Sequence, residues 1–121
     1  MNVAIVGLGR VGSEFLQEML QHSHKGVKVM CVAEPGETPG KELARRKSVR
    51  ILTVEEILGL GETIDIIFDL TGVVAVRKQL RQTLEATQNR HTVIAPETMA
   101  QIIWTLLTDR ELPAVHGHMG Y

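Results

Sequence analysis

The sequence has little that would attract a charged polymer or a lipid bilayer. Its 13 lysines and arginines against 14 aspartates and glutamates leave a net charge of -1, which gives no general attraction to nucleic acid or to an anionic membrane. No apolar stretch approaches the roughly 20 residues that a bilayer-spanning helix needs. We therefore expect neither nucleic acid nor a membrane as a partner.

Cysteine is also scarce. Cys31 is the single cysteine, so no internal disulfide can form, and an apolar strand pattern begins at the N-terminus without a signal-like segment. These features predict a cytoplasmic protein. A chain of 121 residues accommodates one domain with a real core, and we assign residues 1–111 to that domain and 112–121 to a C-terminal tail.

Short apolar runs alternate with segments of helical period along the chain. This alternation is typical of an α/β fold whose parallel sheet is covered on both faces. It predicts a doubly wound parallel sheet of about five strands in a single domain, in the order 3-2-1-4-5. The predicted strands are 3–6, 27–33, 49–52, 64–70 and 92–95, and the predicted helices are 13–22, one beginning after Thr38-Pro39, one with a Thr53/Glu56 capping box, 74–87 and 98–110.

The first predicted strand runs into a glycine-rich turn, "VAIVGLGRVG". Gly7, Gly9 and Gly12 have G-x-G-x-x-G spacing between a strand and a helix, the context in which this weak motif signals a dinucleotide site. The free N–H groups that open the helix, expected near 11–14, would face the phosphates. A glycine-rich turn that binds nothing is the alternative. The candidate contacts here are Gly7, Leu8, Gly9, Arg10, Val11 and Gly12, with Arg10 equally able to remain solvated.

An acidic residue follows the second predicted strand in "VAEPGETPG". Glu34 lies about 20 residues beyond Gly12, the separation at which a carboxylate accepts hydrogen bonds from the adenine ribose hydroxyls. This favours NAD over NADP, although a basic cluster just beyond offers a site for a 2′-phosphate. Glu34 as an ordinary loop residue and the cluster as a solvated helix face are the alternatives. The cluster comprises Lys41, Arg45, Arg46 and Lys47.

The fourth predicted strand ends in "IIFDLTG" and carries Asp69, Thr71 and Gly72 to the same edge of the sheet. Thr71 and Gly72 are candidate contacts for the ribose or nicotinamide side of the cofactor. The alternative is a turn that only caps the next helix. Asp69 is satisfied either by backbone N–H groups or by a ligand, and the sequence leaves this open.

These motifs, together with "HTVIAPETMA", resemble the cofactor domain of homoserine dehydrogenases and related oxidoreductases over nearly the whole chain. They are also similar to a Rossmann-like domain at the front of some bacterial sensor histidine kinases. The resemblance implies a Rossmann-like fold and cofactor contacts at Gly7, Gly9, Gly12, Glu34 and Thr71. One departure stands out, because Pro96-Glu97 replaces the asparagine-lysine pair of homoserine dehydrogenases, so that lysine has no counterpart.

Two functions follow from this resemblance. The first is a stand-alone NAD(P)(H)-binding or regulatory module, which would need a protein partner to receive its signal. The second is an oxidoreductase subunit whose substrate site is completed by another subunit or protein, because the chain ends before the separate domain that holds substrate in such enzymes. Coenzyme A or an adenylate in the same crevice is a third possibility. No catalytic residues are assigned.

The last predicted helix has an unusually wide apolar surface. From Met99 to Leu107 its apolar side chains spread over roughly 200° of the circumference, wider than one buried stripe. We expect Trp104 and its neighbours to pack against a twin subunit, giving a homodimer through residues 98–110. The alternative is that the tail, 112–121, folds over this helix.

Histidine and cysteine spacing predicts no metal site. His22 and His24, and likewise His116 and His118, are two residues apart, a spacing that does not place ligands on one helix face. His91 is interpreted as structural. Cys31 is expected to be a small core residue rather than a nucleophile.

Overall fold

A computed structural model describes residues 1–23 and 26–108. His24, His116, His118 and the predicted tail lie outside these residues. Strands and helices alternate throughout. The strands are β1 Asn2–Val6, β2 Lys28–Ala33, β3 Arg50–Ile51, β4 Ile66–Asp69 and β5 Val93–Ala95. The helices are α1 Arg10–Gln21, α2 Pro39–Arg46, α3 Val54–Gly59, α4 Val74–Ala86 and α5 Glu97–Leu107, with a short 3-10 helix at Gly61–Thr63.

The described strands form one parallel five-stranded sheet in the order β3-β2-β1-β4-β5. The predicted α/β class and strand order are therefore confirmed. The chain winds outward in opposite directions from the paired strands β1 and β4, so α1 and α4 lie on opposite faces of the sheet. A crevice therefore opens between the two connections that leave the carboxyl ends of these strands. That crevice positions the site described below.

Each face of the sheet has its own apolar core, since side chains alternate along a strand. One face packs β1 and β4 against α1, with Phe15 and Phe68 ring centroids 4.8 Å apart. The opposite face packs Ile57 of α3 and Leu80 of α4 over β2 and β4. Cys31 belongs to this second core, and burial raises the pKa of its thiol to about 11, which confirms the prediction of a core residue.

Local sequence fixes the starts of α2 and α3 as predicted. The Thr38 hydroxyl accepts a hydrogen bond from the Lys41 N–H at 3.1 Å, with proline at the first helical position. At α3, Thr53 and Glu56 form a reciprocal capping box. The predicted start of α1 at Ser13 is wrong, because the helix begins at Arg10, directly after an N-cap glycine without a side-chain cap.

The apolar surface of α5 divides between the protein's own core and solvent. Trp104 is only 2% exposed, so the prediction that it packs against a twin subunit is wrong. It is buried within the monomer, because α5 turns this side toward the sheet and α1. Met99, Ile102 and Leu106 lie on the outward side, 49%, 55% and 80% exposed. Among the described residues, no helix has the length and apolarity to span a bilayer.

Candidate functional site

The turn after β1 brings the chain against the end of β4. Gly7 has φ +96°, a conformation that side-chain-bearing residues rarely adopt, and a Cβ there would lie 2.9 Å from the backbone of both Leu70 and Thr71. A Cβ on Gly12 would collide with the carbonyl oxygen of Gly7. The first and third glycines are therefore required by the protein's own packing, as the motif predicts.

The second glycine is different. A Cβ on Gly9 would meet no atom of the described residues within 4 Å, and its backbone is extended, with φ -75° and ψ -150°. Neither strain nor packing within the described protein requires glycine at this position. The open space in front of it is what a ligand that approaches the backbone closely would need.

The first turn of α1 offers backbone N–H groups beside this space. The Ser13 N–H makes the first bond within the helix, to the Gly9 carbonyl at 2.8 Å, so the amides of residues 9–12 have no acceptor inside the helix. This corrects the expected set of 11–14, because the helix begins earlier. Arg10 is exposed and does not line the cleft described below, whereas the side chains of Leu8 and Val11 are buried in the core.

Glu34 reaches across to the glycine turn from the end of β2. Its Oε1 accepts the Leu8 N–H at 2.7 Å, and its Oε2 accepts the Gly36 N–H at 2.8 Å. Each carboxylate oxygen keeps a second lone pair for another donor. Sequence reasoning placed Glu34 correctly at the cleft but did not foresee that two backbone amides hold it there.

Asp69 ends β4 and organises the turn that follows. It is fully buried, and its Oδ1 accepts both the Thr71 N–H at 3.1 Å and the Thr71 hydroxyl at 2.7 Å. Its Oδ2 accepts the Nε–H of Arg77 at 2.8 Å, and Arg77 is itself 4% exposed. The sequence left open whether Asp69 is satisfied by the protein or by a ligand. In the structure its hydrogen-bond partners belong to the protein. Thr71 also caps the turn, since its hydroxyl accepts the Val73 N–H at 3.0 Å, and Gly72 has φ +68°.

Arg77 was missed by sequence reasoning. A usable signal was its position three residues before the buried Leu80, which places both on the inward side of α4. An arginine on a core-facing stripe needs a buried acid as its partner, and Asp69 lies at the end of the apolar strand that precedes the helix.

A cleft of about 330 Å³ joins these parts at the carboxyl ends of β1 and β4. A second cavity of about 430 Å³ continues toward β3 and shares Glu34, Pro35 and Val54 with the first. Glu34 thus lies where the two meet. A cavity of about 650 Å³ between α1 and α2 is lined by Arg46 and Lys47 of the basic cluster but by none of the predicted contacts in the glycine turn, at Glu34 or at Thr71.

Two of the four residues of the basic cluster beyond Glu34, Lys41 and Arg45, pair with neighbouring acids. Lys41 Nζ lies 3.5 Å from Glu37, and Arg45 contacts Glu37 at 2.9 Å and Glu42 at 3.2 Å. These contacts lower the pKa of Glu37, chiefly through its hydrogen bond to Arg45. Arg46 and Lys47 are exposed. The arrangement is that of a solvated helix face, although Lys41 also lines the cavity beside Glu34.

Residues 7–100 match the family model for the homoserine dehydrogenase NAD-binding domain. The chain belongs to this family. Its glycine turn, Glu34 and Thr71 all fall inside the matched range. In this member of the homoserine dehydrogenase NAD-binding domain family, Pro96 is the N-cap of α5 and Glu97 is its first, buried residue.

Two solved structures illustrate the shared fold. GenD2 from gentamicin A biosynthesis, in complex with NAD, is 22% identical with a TM-score of 0.56, and the match covers 79% of this chain and 34% of that one. Homoserine dehydrogenase from S. aureus at pH 7.5 is 21% identical with a TM-score of 0.59, covering 78% of this chain and 25% of that one. The chain therefore spans about a third or less of the length of these proteins. A search of curated protein sequences gives no match.

Among the described residues, no group of three or more His, Cys, Asp or Glu side chains is placed to hold a metal ion. His91 instead pairs with Asp65 at 2.6 Å, at the opposite, amino-terminal edge of the sheet.

Proposed function

We propose that the cleft binds NAD(H) and that the domain works as a nucleotide-binding or regulatory module. The observation that carries the proposal is the open face of Gly9 beside the uncapped first turn of α1. A diphosphate in that space would accept hydrogen bonds from the amides of residues 9–12, with the positive end of the helix dipole behind them.

The residues of the cleft supply groups suited to both halves of a dinucleotide, which supports the proposal. On the adenine side, Glu34 would accept the ribose hydroxyls with its remaining lone pairs. On the nicotinamide side, Leu70, Val73 and Val76 form an apolar wall next to Thr71. When bound, the nicotinamide supplies or accepts a hydride.

The choice of NAD over NADP rests on how Glu34 is held. Two backbone N–H groups fix its carboxylate at the junction of the two cavities, so the charge cannot swing aside without losing both bonds. A 2′-phosphate placed there would face an immobile negative charge. Lys41 and Arg45, which would have to compensate, already pair with acids.

A binding role is favoured over catalysis by the composition of the described cleft, in which Glu34 is the one titratable lining residue. Family membership supports the second candidate function, an oxidoreductase subunit whose substrate site is completed by another subunit or protein. In that case the protein would contribute cofactor binding, and the proton-transfer groups would come from elsewhere.

Calorimetric titration with NAD, NADH, NADP and coenzyme A tests the proposal. We expect saturable binding of NADH and NAD, with weaker binding of NADP. Binding of coenzyme A alone would overturn the choice of ligand, and no binding of any of the four would overturn the site. Turnover of a hydroxy or amino acid with NAD would reverse the order of the two functions.

We also propose a homodimer through the outward face of α5, formed by Met99, Ile102 and Leu106. The exposed residues of this helix are all uncharged. Two copies of such a face can meet without like-charge repulsion, and burying apolar area drives their association. The tail folding over this face is the competing explanation.

A further inference from the structure

The turn between β4 and α4 contains a hydroxyl whose hydrogen-bonding capacity is almost fully accounted for. The Thr71 O–H donates to Asp69 Oδ1 at 2.7 Å, and the oxygen accepts the Val73 N–H at 3.0 Å. A hydroxyl has one donor and two acceptor lone pairs. One lone pair therefore remains, and the side chain lines the cleft together with Gly7 and Gly9.

Asp69 fixes this state because each of its oxygens must accept. Oδ1 takes the backbone and hydroxyl donors of Thr71, while Oδ2 takes the Nε–H of Arg77. With Asp69 fully buried and Arg77 almost so, the guanidinium compensates the carboxylate charge that would otherwise be costly in this position. If Asp69 turned an oxygen away from Arg77 or Thr71, a buried hydrogen-bonding group would be left unsatisfied. A carboxylate oxygen also cannot act as a donor, so Asp69 can only accept.

We propose that Asp69 and Arg77 are positioning residues that hold the Thr71 hydroxyl as a hydrogen-bond acceptor, so that this turn recognises a donor in the nicotinamide half of the dinucleotide. The donor is a ribose hydroxyl or the carboxamide N–H, and phosphate or carbonyl oxygens are excluded because Thr71 has no hydrogen left to give. The inference rests on the proposed function and deepens it.

The structure supplies a matched set of variants. Thr71→Val removes the hydroxyl at nearly constant shape, and Thr71→Ser keeps it. Asp69→Asn places an NH2 group against a donor, either Arg77 Nε or the Thr71 N–H. The double variant Asp69→Asn with Arg77→Gln restores the match, since Gln Oε1 lies the same number of bonds from Cα as Arg Nε and accepts from the asparagine NH2.

Calorimetric titration of each variant with NADH and with ADP, which lacks the nicotinamide half, measures the effect. T71V is expected to weaken NADH binding about tenfold, the loss of one hydrogen bond, and to leave ADP binding within about twofold. T71S retains NADH affinity. D69N weakens NADH at least as much as T71V, and the double variant recovers to within about threefold of the wild type. Circular dichroism checks that each variant is folded.

The outcomes separate this inference from the function on which it rests. If the wild type binds neither NADH nor ADP, the proposed function fails. If it binds both, and T71V weakens both equally or neither, Thr71 acts only as a cap of the turn and the inference fails. Should D69N not fold, T71V and the double variant still decide, because a folded double variant with NADH affinity as low as that of T71V contradicts the role of the pair.

Discussion

The sharpest test of the cleft is to add one methyl group at Gly9. Its backbone lies in an extended region open to alanine, and the new Cβ would meet no described atom within 4 Å. We therefore expect Gly9→Ala to fold with little net change in stability, because the conformational entropy that alanine saves is offset by its poor fit to the N-cap position of α1. The melting temperature should therefore change by no more than a few degrees.

Dinucleotide binding should respond much more strongly than stability does. The methyl group would stand in the space through which a diphosphate approaches the first turn of α1. Keeping the phosphate away removes one or two charge-assisted hydrogen bonds from backbone amides, each contributing about 1.5 to 3 kcal/mol. A loss of about 3 kcal/mol corresponds to an NADH affinity lower by about 100-fold.

Gly59→Ala is the matched control. Gly59 ends α3, and a Cβ there also meets nothing within 4 Å, but the residue does not line the cleft. As a helical residue it should show a somewhat higher melting temperature on replacement by alanine, with unchanged NADH affinity. Thermal denaturation and calorimetric titration of both variants suffice. NADH affinity in Gly9→Ala equal to that of the wild type would refute the reasoning that places the diphosphate at this turn.

Three further predictions concern other parts of the molecule. Glu34→Gln leaves only one oxygen to accept the two backbone N–H groups that Glu34 now accepts, so the free energy of unfolding, measured by urea denaturation, should fall by about 1 to 3 kcal/mol. The ratio of NADPH affinity to NADH affinity should rise. An unchanged ratio would count against Glu34 as the residue that selects the ribose. Hydrogen bonds from the Asn2 N–H and then from His91 lower the pKa of Asp65 below its ordinary value of 3.8. The stabilising contribution of Asp65 is therefore present above that pH and is lost as the pH falls through the lower folded-state pKa. The urea midpoint of Asp65→Asn should depend less on pH below about 4 than that of the wild type, and parallel plots of midpoint against pH would contradict this. Ile102→Asp should halve the mass seen by light scattering while Gln101→Glu, off the apolar stripe at 100° per residue, leaves it unchanged; a wild-type monomer would exclude the dimer.

The fold was largely predictable because its signals are local. Apolar runs rich in valine and isoleucine marked the strands, and Thr38, Pro39 and the Thr53/Glu56 pair marked helix starts. Alternation of these elements then leaves few topologies, since parallel crossovers are almost always right-handed. The start of α1 was missed because glycines at 9 and 12 weaken a helical pattern that tertiary packing nevertheless imposes.

The candidate site was predictable in position but not in its internal bonding. The glycine spacing and the separation to Glu34 indicated which residues share the cleft, because parallel strands bring their carboxyl ends to one edge. The amide contacts of Glu34 and the Asp69–Arg77 pair depend on side-chain rotamers that sequence spacing does not specify. For Trp104, a wide apolar arc did not tell which side faces the protein's own sheet.

Ser13 gives the glycine turn a connection that reaches beyond the cleft. Its hydroxyl donates to the Leu8 carbonyl and accepts the Gly40 N–H, both at 2.9 Å, and a Cβ on Gly40 would collide with that hydroxyl. The two positions, 27 residues apart in sequence, are therefore constrained as a pair. Among natural relatives, a residue larger than glycine at 40 should be found only where position 13 is smaller than serine and α2 lies farther from the turn, so residue 40 reports how closely α2 approaches it.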